Sequence, residues 1–132
     1  MTIVNELLEL GFRPGLRMEY SNGRYAISAE EGFNQPPPLV YVLVDRNGGS
    51  VRTGRSLKRT IRQQEGGTEA GLNGLSTDGQ NNKPVIRGLR PEIRQNGPLV
   101  SYIKRCTSEE AARCEKRALY DRFRGRLDKR RG

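Results

Sequence analysis

The run LVYVLVDRNGGSVRTGRSLKRTIR, residues 39–62, constrains the fold of this chain more than any other stretch. Leu39–Val44 is an unbroken apolar and largely β-branched run, which suits the middle of a sheet with both faces covered. Asn47-Gly48-Gly49 comes next, and these residues tolerate the positive φ that a tight turn between paired strands requires. Residues 50–53 are therefore expected to form the return strand. Gly54 ends it, marking a bend or a place where another backbone or a phosphate comes close. Ser56 then suits the cap of a helix that turns Leu57 and Ile61 inward at i, i+4 and leaves Lys58, Arg59 and Arg62 for solvent or a ligand.

The flanking sequence supplies the rest of a small domain. Thr2 can cap a helix over residues 3–10 that Gly11 stops. Residues 16–20 and 25–28 alternate around Ser21-Asn22-Gly23-Arg24, which predicts a second hairpin. Pro36-Pro37-Pro38 makes a stiff lead into the first core strand. Residues 65–84 lack apolar periodicity, so a loop is expected there, either embracing a substrate or unstructured. Residues 85–93 contain Pro91 and read as one short edge strand, and residues 99–104 as a third core strand with Leu99, Ser101 and Ile103 on one face. Thr107-Ser108-Glu109-Glu110 matches a capping box in which Thr107 caps and Glu110 reaches back, opening a last helix that runs to about Phe123. In that helix Glu115 has Ala111, Ala112, Ala118 and Leu119 as its neighbours three and four positions away. A carboxylate in an apolar stripe is costly to bury unless a cation or strong donors compensate, and a salt bridge to an arginine such as Arg62 is one structural use for Glu115.

Charge narrows the partners. With 24 Lys and Arg against 15 Asp and Glu, the chain carries a formal charge of +9, which favours a polyanion such as nucleic acid. The absence of histidine removes imidazole acid–base chemistry and the usual zinc site, leaving Tyr, Glu, Asp and Lys. Cys106 and Cys114 are expected as thiols rather than a disulfide. No apolar run reaches membrane-spanning length and no export signal opens the chain, so no membrane partner and a cytoplasmic location are expected.

The central stretch resembles the core of the GIY-YIG nucleases. Leu39-Val40-Tyr41 is similar to that family's first triplet, Arg52-Thr53-Gly54 to its second, and Arg62 to the arginine of the helix that follows, with Arg59 a rival for that role. Tyr41 to Gly54 spans thirteen positions and Gly54 to Arg62 eight, which fit the family's spacing without a gap. Leu39 stands where the family has glycine and Arg52 where it has a tyrosine. The helix EEAARCEKRALY is similar to the one on which the family carries its metal-binding glutamate, with Glu115 at the matching position.

The resemblance implies an α/β fold with a small, mainly antiparallel three-stranded sheet flanked by helices. Residues 1–38 would add an N-terminal helix and hairpin, residues 39–123 the nuclease-like core and residues 124–132 a basic tail. It further implies a metal-dependent endonuclease acting on DNA, with RNA as the other substrate. Tyr41, Arg52 and Arg62 would be catalytic and Glu115 would hold one Mg²⁺ or Mn²⁺. A free tyrosine titrates near 10, so Tyr41 would need Arg52 or Arg62 close by to activate water. Lys58, Arg59, Arg117, Arg122, Arg124 and Arg126 would contact phosphates. Two other readings suit the same residues: a nucleic-acid-binding module without catalysis, which Arg52 in place of tyrosine favours, and a toxin-type nuclease domain released from a larger secreted protein.

Overall fold

A computed structural model describes residues 2–77 and 79–128. It opens with α1 (Ile3–Glu9), where the Thr2 hydroxyl accepts from the Asn5 amide. β1 (Arg13–Ser21) and β2 (Arg24–Ala29) form the expected N-terminal hairpin. Asn22 and Gly23 turn it with φ of 52° and 76°, the left-handed pair that a two-residue hairpin needs. β3 (Leu39–Val44) and β4 (Ser50–Ser56) form the central hairpin, and the Asp45 carboxylate organises its turn by accepting from the amides of Asn47 and Gly49 at 2.8 and 2.9 Å.

The sheet has five antiparallel strands rather than three. Its order is β2-β1-β5-β3-β4, with β5 (Leu99–Arg105) between the two hairpins. Residues 13–29 are therefore not an extension laid on a separate core, since β1 pairs with β5 through Arg13↔Ile103 to Met18↔Leu99. Every residue of β3 is buried, as its apolar run requires. Val40, Val42 and Val44 face α1 and α5 (Glu109–Phe123), packing with Leu7, Phe12, Ala112, Leu119 and Phe123. Leu39, Tyr41 and Leu43 point to the opposite side, toward Ile61, Leu72, Ile86 and Leu89.

Three sequence expectations change here. Residues 85–93 are not an edge strand but the middle of α4 (Pro84–Asn96). Pro84 occupies the first helical turn, where a missing N–H costs nothing, and Ile86, Leu89 and Ile93 recur at helical spacing, so their burial outweighs the one donor lost at Pro91. Residues 65–84 are not an unstructured loop. They hold α3 (Thr68–Leu72) and a 3₁₀ turn (Gln80–Asn82), tied down by the Arg90 guanidinium on the carbonyls of Gly71, Leu72 and Asn81. The Asn73 side chain pairs with both backbone groups of Tyr25, and the Glu69 carboxylate accepts from the Ile27 amide at 2.6 Å, which covers the free edge of β2. The helix after β4 is also shorter than its periodicity suggests: α2 is only Ile61–Gln64, with Thr60 and Gln63 making a capping box. Ser56 caps no helix, and instead its hydroxyl ties both backbone groups of Arg59.

The residues after α5 cover the other edge. Arg126 and Leu127 donate their amides to the carbonyls of Ser50 and Val51, and the Asp128 carboxylate accepts from the Thr53 amide and hydroxyl. A side chain at Gly125 would collide with the backbone of Val51 and Arg52, so only glycine lets the chain lie so close. The expected basic tail is thus part of the fold as far as Asp128, while residues 129–132 lie outside the described residues. At the start of α5 the cap is Ser108, accepting from the Ala111 amide, and not Thr107. Both cysteines are free thiols.

Candidate nucleic-acid interface

The β3–β4 register places Tyr41 opposite Gly54. The Tyr41 ring lies across the Gly54 backbone, in the space where a side chain would stand. Arg52 pairs with Leu43 and so projects from the same face as Tyr41, with its guanidinium carbon 5.9 Å from the ring centroid. Glu65, just past α2, stands 3.9 Å from Arg52 and accepts from the Thr68 hydroxyl at 2.7 Å. Tyr41 is 3% exposed, and burial pushes its hydroxyl up to about 12. Arg52 pulls in the other direction without winning, and Glu65 and Asp128 add to the rise. The expected activation of Tyr41 by a neighbouring cation is therefore outweighed by desolvation. At neutral pH Tyr41 is a phenol that can donate or accept a hydrogen bond.

Only the first half of β4 is covered by residues 126–128. Beside the remaining half runs a trough of about 510 Å³ lined by Tyr41, Arg52, Gly54, Arg55, Lys58, Arg59, Gln64 and Lys116. The Ser56–Arg59 hydrogen bonds hold the 56–59 loop in shape and leave Lys58 and Arg59 exposed. A second depression of about 520 Å³ shares Arg52 and Lys116 and continues to Tyr120 and Asp128. Along α5 the cations of Lys116 and Arg124 lie 5.0 and 5.4 Å from the Tyr120 ring. The result is a cationic channel along one sheet edge, with an aromatic side chain near each end, whose fixed charges suit a chain of phosphates.

Of the residues singled out from sequence, the fold gathers Tyr41, Arg52, Lys58 and Arg59 here, with Arg124 beside Tyr120. It separates the others. Arg62 is exposed on the far side of α2, 6.0 Å from the Phe33 ring, in a different cavity that also contains Glu65. Arg117 is exposed on α5, and Arg122 pairs with Glu6 of α1 at 3.4 Å. Arg126, 45% exposed, bonds the Asp45 and Glu92 carboxylates at 2.6 Å each, so its charge is matched within the fold rather than added to the channel. Burial alone would raise the Asp45 carboxyl, but hydrogen bonds from Arg126, Gly49 and Asn47 hold it below the usual range. The Arg126 hydrogen bond likewise lowers Glu92.

Glu115 lies on the opposite face of the sheet from Tyr41. Its carboxylate accepts from the Cys106 thiol at 3.0 Å and pairs with the Lys104 ammonium at 3.5 Å, beside Phe12 and Leu119. Its side chain is 39% exposed rather than buried, and the compensating cation is Lys104, not an arginine. Burial, followed by the adjacent Glu115 carboxylate, pushes the Cys106 thiol up to about 12, so it remains a hydrogen-bond donor. An Mg²⁺ or Mn²⁺ ion on Glu115 would have to displace the Lys104 ammonium and draw its other ligands from water or phosphate. Among the described residues no three of His, Cys, Asp and Glu converge. Glu65, the carboxylate next to Tyr41, accepts from the Thr68 hydroxyl through one oxygen and has Arg52 at 3.9 Å from the other.

Arg55 and Lys116 are the channel residues that sequence reasoning missed. Ala112 and Leu119 mark the buried line of α5, and residues 115 and 116 fall on opposite flanks of it. Only the packing direction says which flank meets the edge of β4, and it is that of Lys116. Among the described residues no helix is long and apolar enough to cross a membrane. No protein-family model matches the chain, and neither does any curated protein or solved structure.

Proposed function

We propose that this chain is a nucleic-acid-binding domain that holds a phosphodiester backbone along the open half of the β4 edge and does not hydrolyse it. The observation that carries this reading is the convergence of Arg52, Arg55, Lys58, Arg59 and Lys116 on a channel whose tyrosine stays protonated. Guanidinium and ammonium groups so placed bind phosphate oxygens through charge-assisted hydrogen bonds. The Tyr41 hydroxyl adds a neutral donor. Hydrolysis would ask more of the site: an activated base and a cation at the scissile phosphate. The element order is in keeping with the GIY-YIG resemblance, since a hairpin with Tyr41 facing Gly54 and a helix with Arg62 are followed, after α3, the 3₁₀ turn and α4, by a strand and a helix with Glu115.

Metal-dependent endonuclease activity is the second reading, favoured by Arg52 standing over Tyr41 on one face of the sheet. One set of measurements tests both. Fluorescence anisotropy with single- and double-stranded DNA and with RNA should show binding that weakens steeply with salt. Replacing Lys58 and Arg59 together by Ala should lower the slope of log affinity against log salt by about 1.5–2. Binding that ignores ionic strength would remove the proposal. Incubation of plasmid DNA and RNA with Mg²⁺, Mn²⁺ or a chelator should leave them intact. Metal-dependent cleavage lost in Arg52→Ala would establish the endonuclease reading, whereas cleavage gained only in Arg52→Tyr would mark the natural chain as a binding module.

A further inference from the structure

We propose that the cavity between the β1–β2 hairpin and the α2–α3 segment receives one unpaired nucleobase, guanine in preference to the others, from a strand held in the β4-edge channel. The inference rests on the nucleic-acid reading above and names what that reading leaves open, the form and sequence of the strand. The cavity is about 410 Å³, within the range that encloses a small ligand. Leu16 and Ile27 form an apolar wall, and Phe33 offers a half-buried ring. The Arg62 guanidinium carbon stands 6.0 Å from the Phe33 ring centroid. Planar cations and nucleobases occupy the same kind of position on an aromatic face, so a base can take up that stacking place while Arg62, which is exposed, turns to the adjoining phosphate.

The polar groups of the cavity select the base. Glu69 accepts from the Ile27 amide through Oε2, and Glu65 accepts from the Thr68 hydroxyl through its own Oε2. In each, Oε1 takes no hydrogen bond among the described residues, the Glu65 oxygen having only Arg52 at 3.9 Å. A carboxylate oxygen accepts and never donates. Guanine alone among the common bases presents two neighbouring N–H donors on its Watson–Crick edge, whereas adenine, cytosine and uracil or thymine turn at least one acceptor toward the same oxygens. That edge is free only in an unpaired strand. Glu65 also connects the two sites, since it lines the base cavity and pairs with Arg52 of the channel. A backbone on Arg52 is therefore one side chain away from the cavity lining.

Two measurements on the whole chain test this. In anisotropy titrations, a short pyrimidine oligonucleotide with one central guanine should bind about tenfold more tightly than the same strand with an abasic position, the advantage of one stacked base. The ratio should fall toward one in Phe33→Ala. It should also fall in Glu69→Gln, which keeps an acceptor for Ile27 and so guards against misfolding as the cause. Independently of the channel, guanosine monophosphate should shift the backbone amide NMR signals of Ile27, Ser28 and Phe33, and cytidine monophosphate should not. Equal affinity for guanine and abasic strands, with no such shifts, overturns the base site while leaving channel binding intact. Shifts without salt-dependent oligonucleotide binding would uphold the base site and discard the channel.

Discussion

Gly54→Ala tests the closest packing in the channel. A methyl group at that position would run into Cζ, the hydroxyl oxygen and Cε1 of Tyr41, and the ring cannot retreat easily because it is 3% exposed among Leu39, Ile61 and Ile103. Forcing extra volume into a packed site costs about 1–3 kcal/mol. In a strand, Ala would otherwise be favoured over Gly by roughly 0.5–1 kcal/mol, so the strain must exceed the net loss by that much. We expect Gly54→Ala to destabilise by about 2 kcal/mol in urea unfolding at unchanged m-value, with weaker oligonucleotide binding because Tyr41 and Arg52 are displaced together. The decisive comparison repeats the substitution in Tyr41→Ala, which removes the colliding ring. There Gly54→Ala should be neutral or mildly stabilising, a coupling of about 2–3 kcal/mol between the two positions. An equal loss in both backgrounds would mean that Gly54 is needed for its backbone conformation and that the Tyr41–Gly54 packing has been misread.

Further expectations follow from the charged groups. Arg126→Met strands the Asp45 and Glu92 carboxylates and should cost about 2 kcal/mol at neutral pH. Both carboxyls are held below their ordinary values in the fold, so this contribution is present above about pH 4.5 and is lost as pH falls through the folded values. The wild-type advantage in urea should therefore shrink on acidification, and an advantage that grows instead would refute the assignment. Tyr41 is shifted upward, so its protonated form contributes stability in full below about pH 10 and loses it as pH rises toward 12. Tyrosinate absorbance should show one late-titrating group, and titration of all the tyrosines near 10 would contradict the burial argument. Glu115→Gln should change stability by less than about 1 kcal/mol and leave oligonucleotide binding unaltered, because the side chain is 39% exposed and faces away from the channel. In that variant alkylation of Cys106 should begin at lower pH, and any loss of nucleic-acid binding or cleavage would return Glu115 to the site.

The residues alone determined a good part of this protein. Leu39–Val44 had to be a strand covered on both faces, because six consecutive apolar side chains alternate across a sheet and each face then needs a partner. Asn22-Gly23 and Asn47-Gly48-Gly49 dictated two hairpins through their tolerance of positive φ, but the face of Arg52 stayed open, because a register shift beside Val44 interrupts the alternation and only the pairing of Arg52 with Leu43 puts it on the side of Tyr41. Tertiary structure decided the rest, because it depended on which surface each element met. Pro91 argued locally against a helix, yet burial of Ile86, Leu89 and Ile93 outweighed one missing donor. Glu115 and Lys116 are neighbours in sequence, and only the seat of α5 on Val40, Val42 and Val44 turned the lysine to the β4 edge and the glutamate to Lys104. The arginines after Tyr120 looked alike as a basic run. Packing gave Arg126 two carboxylates and left Arg124 beside Tyr120, since a cation's role depends on the charges within a few ångströms, and the fold brings those from distant parts of the chain.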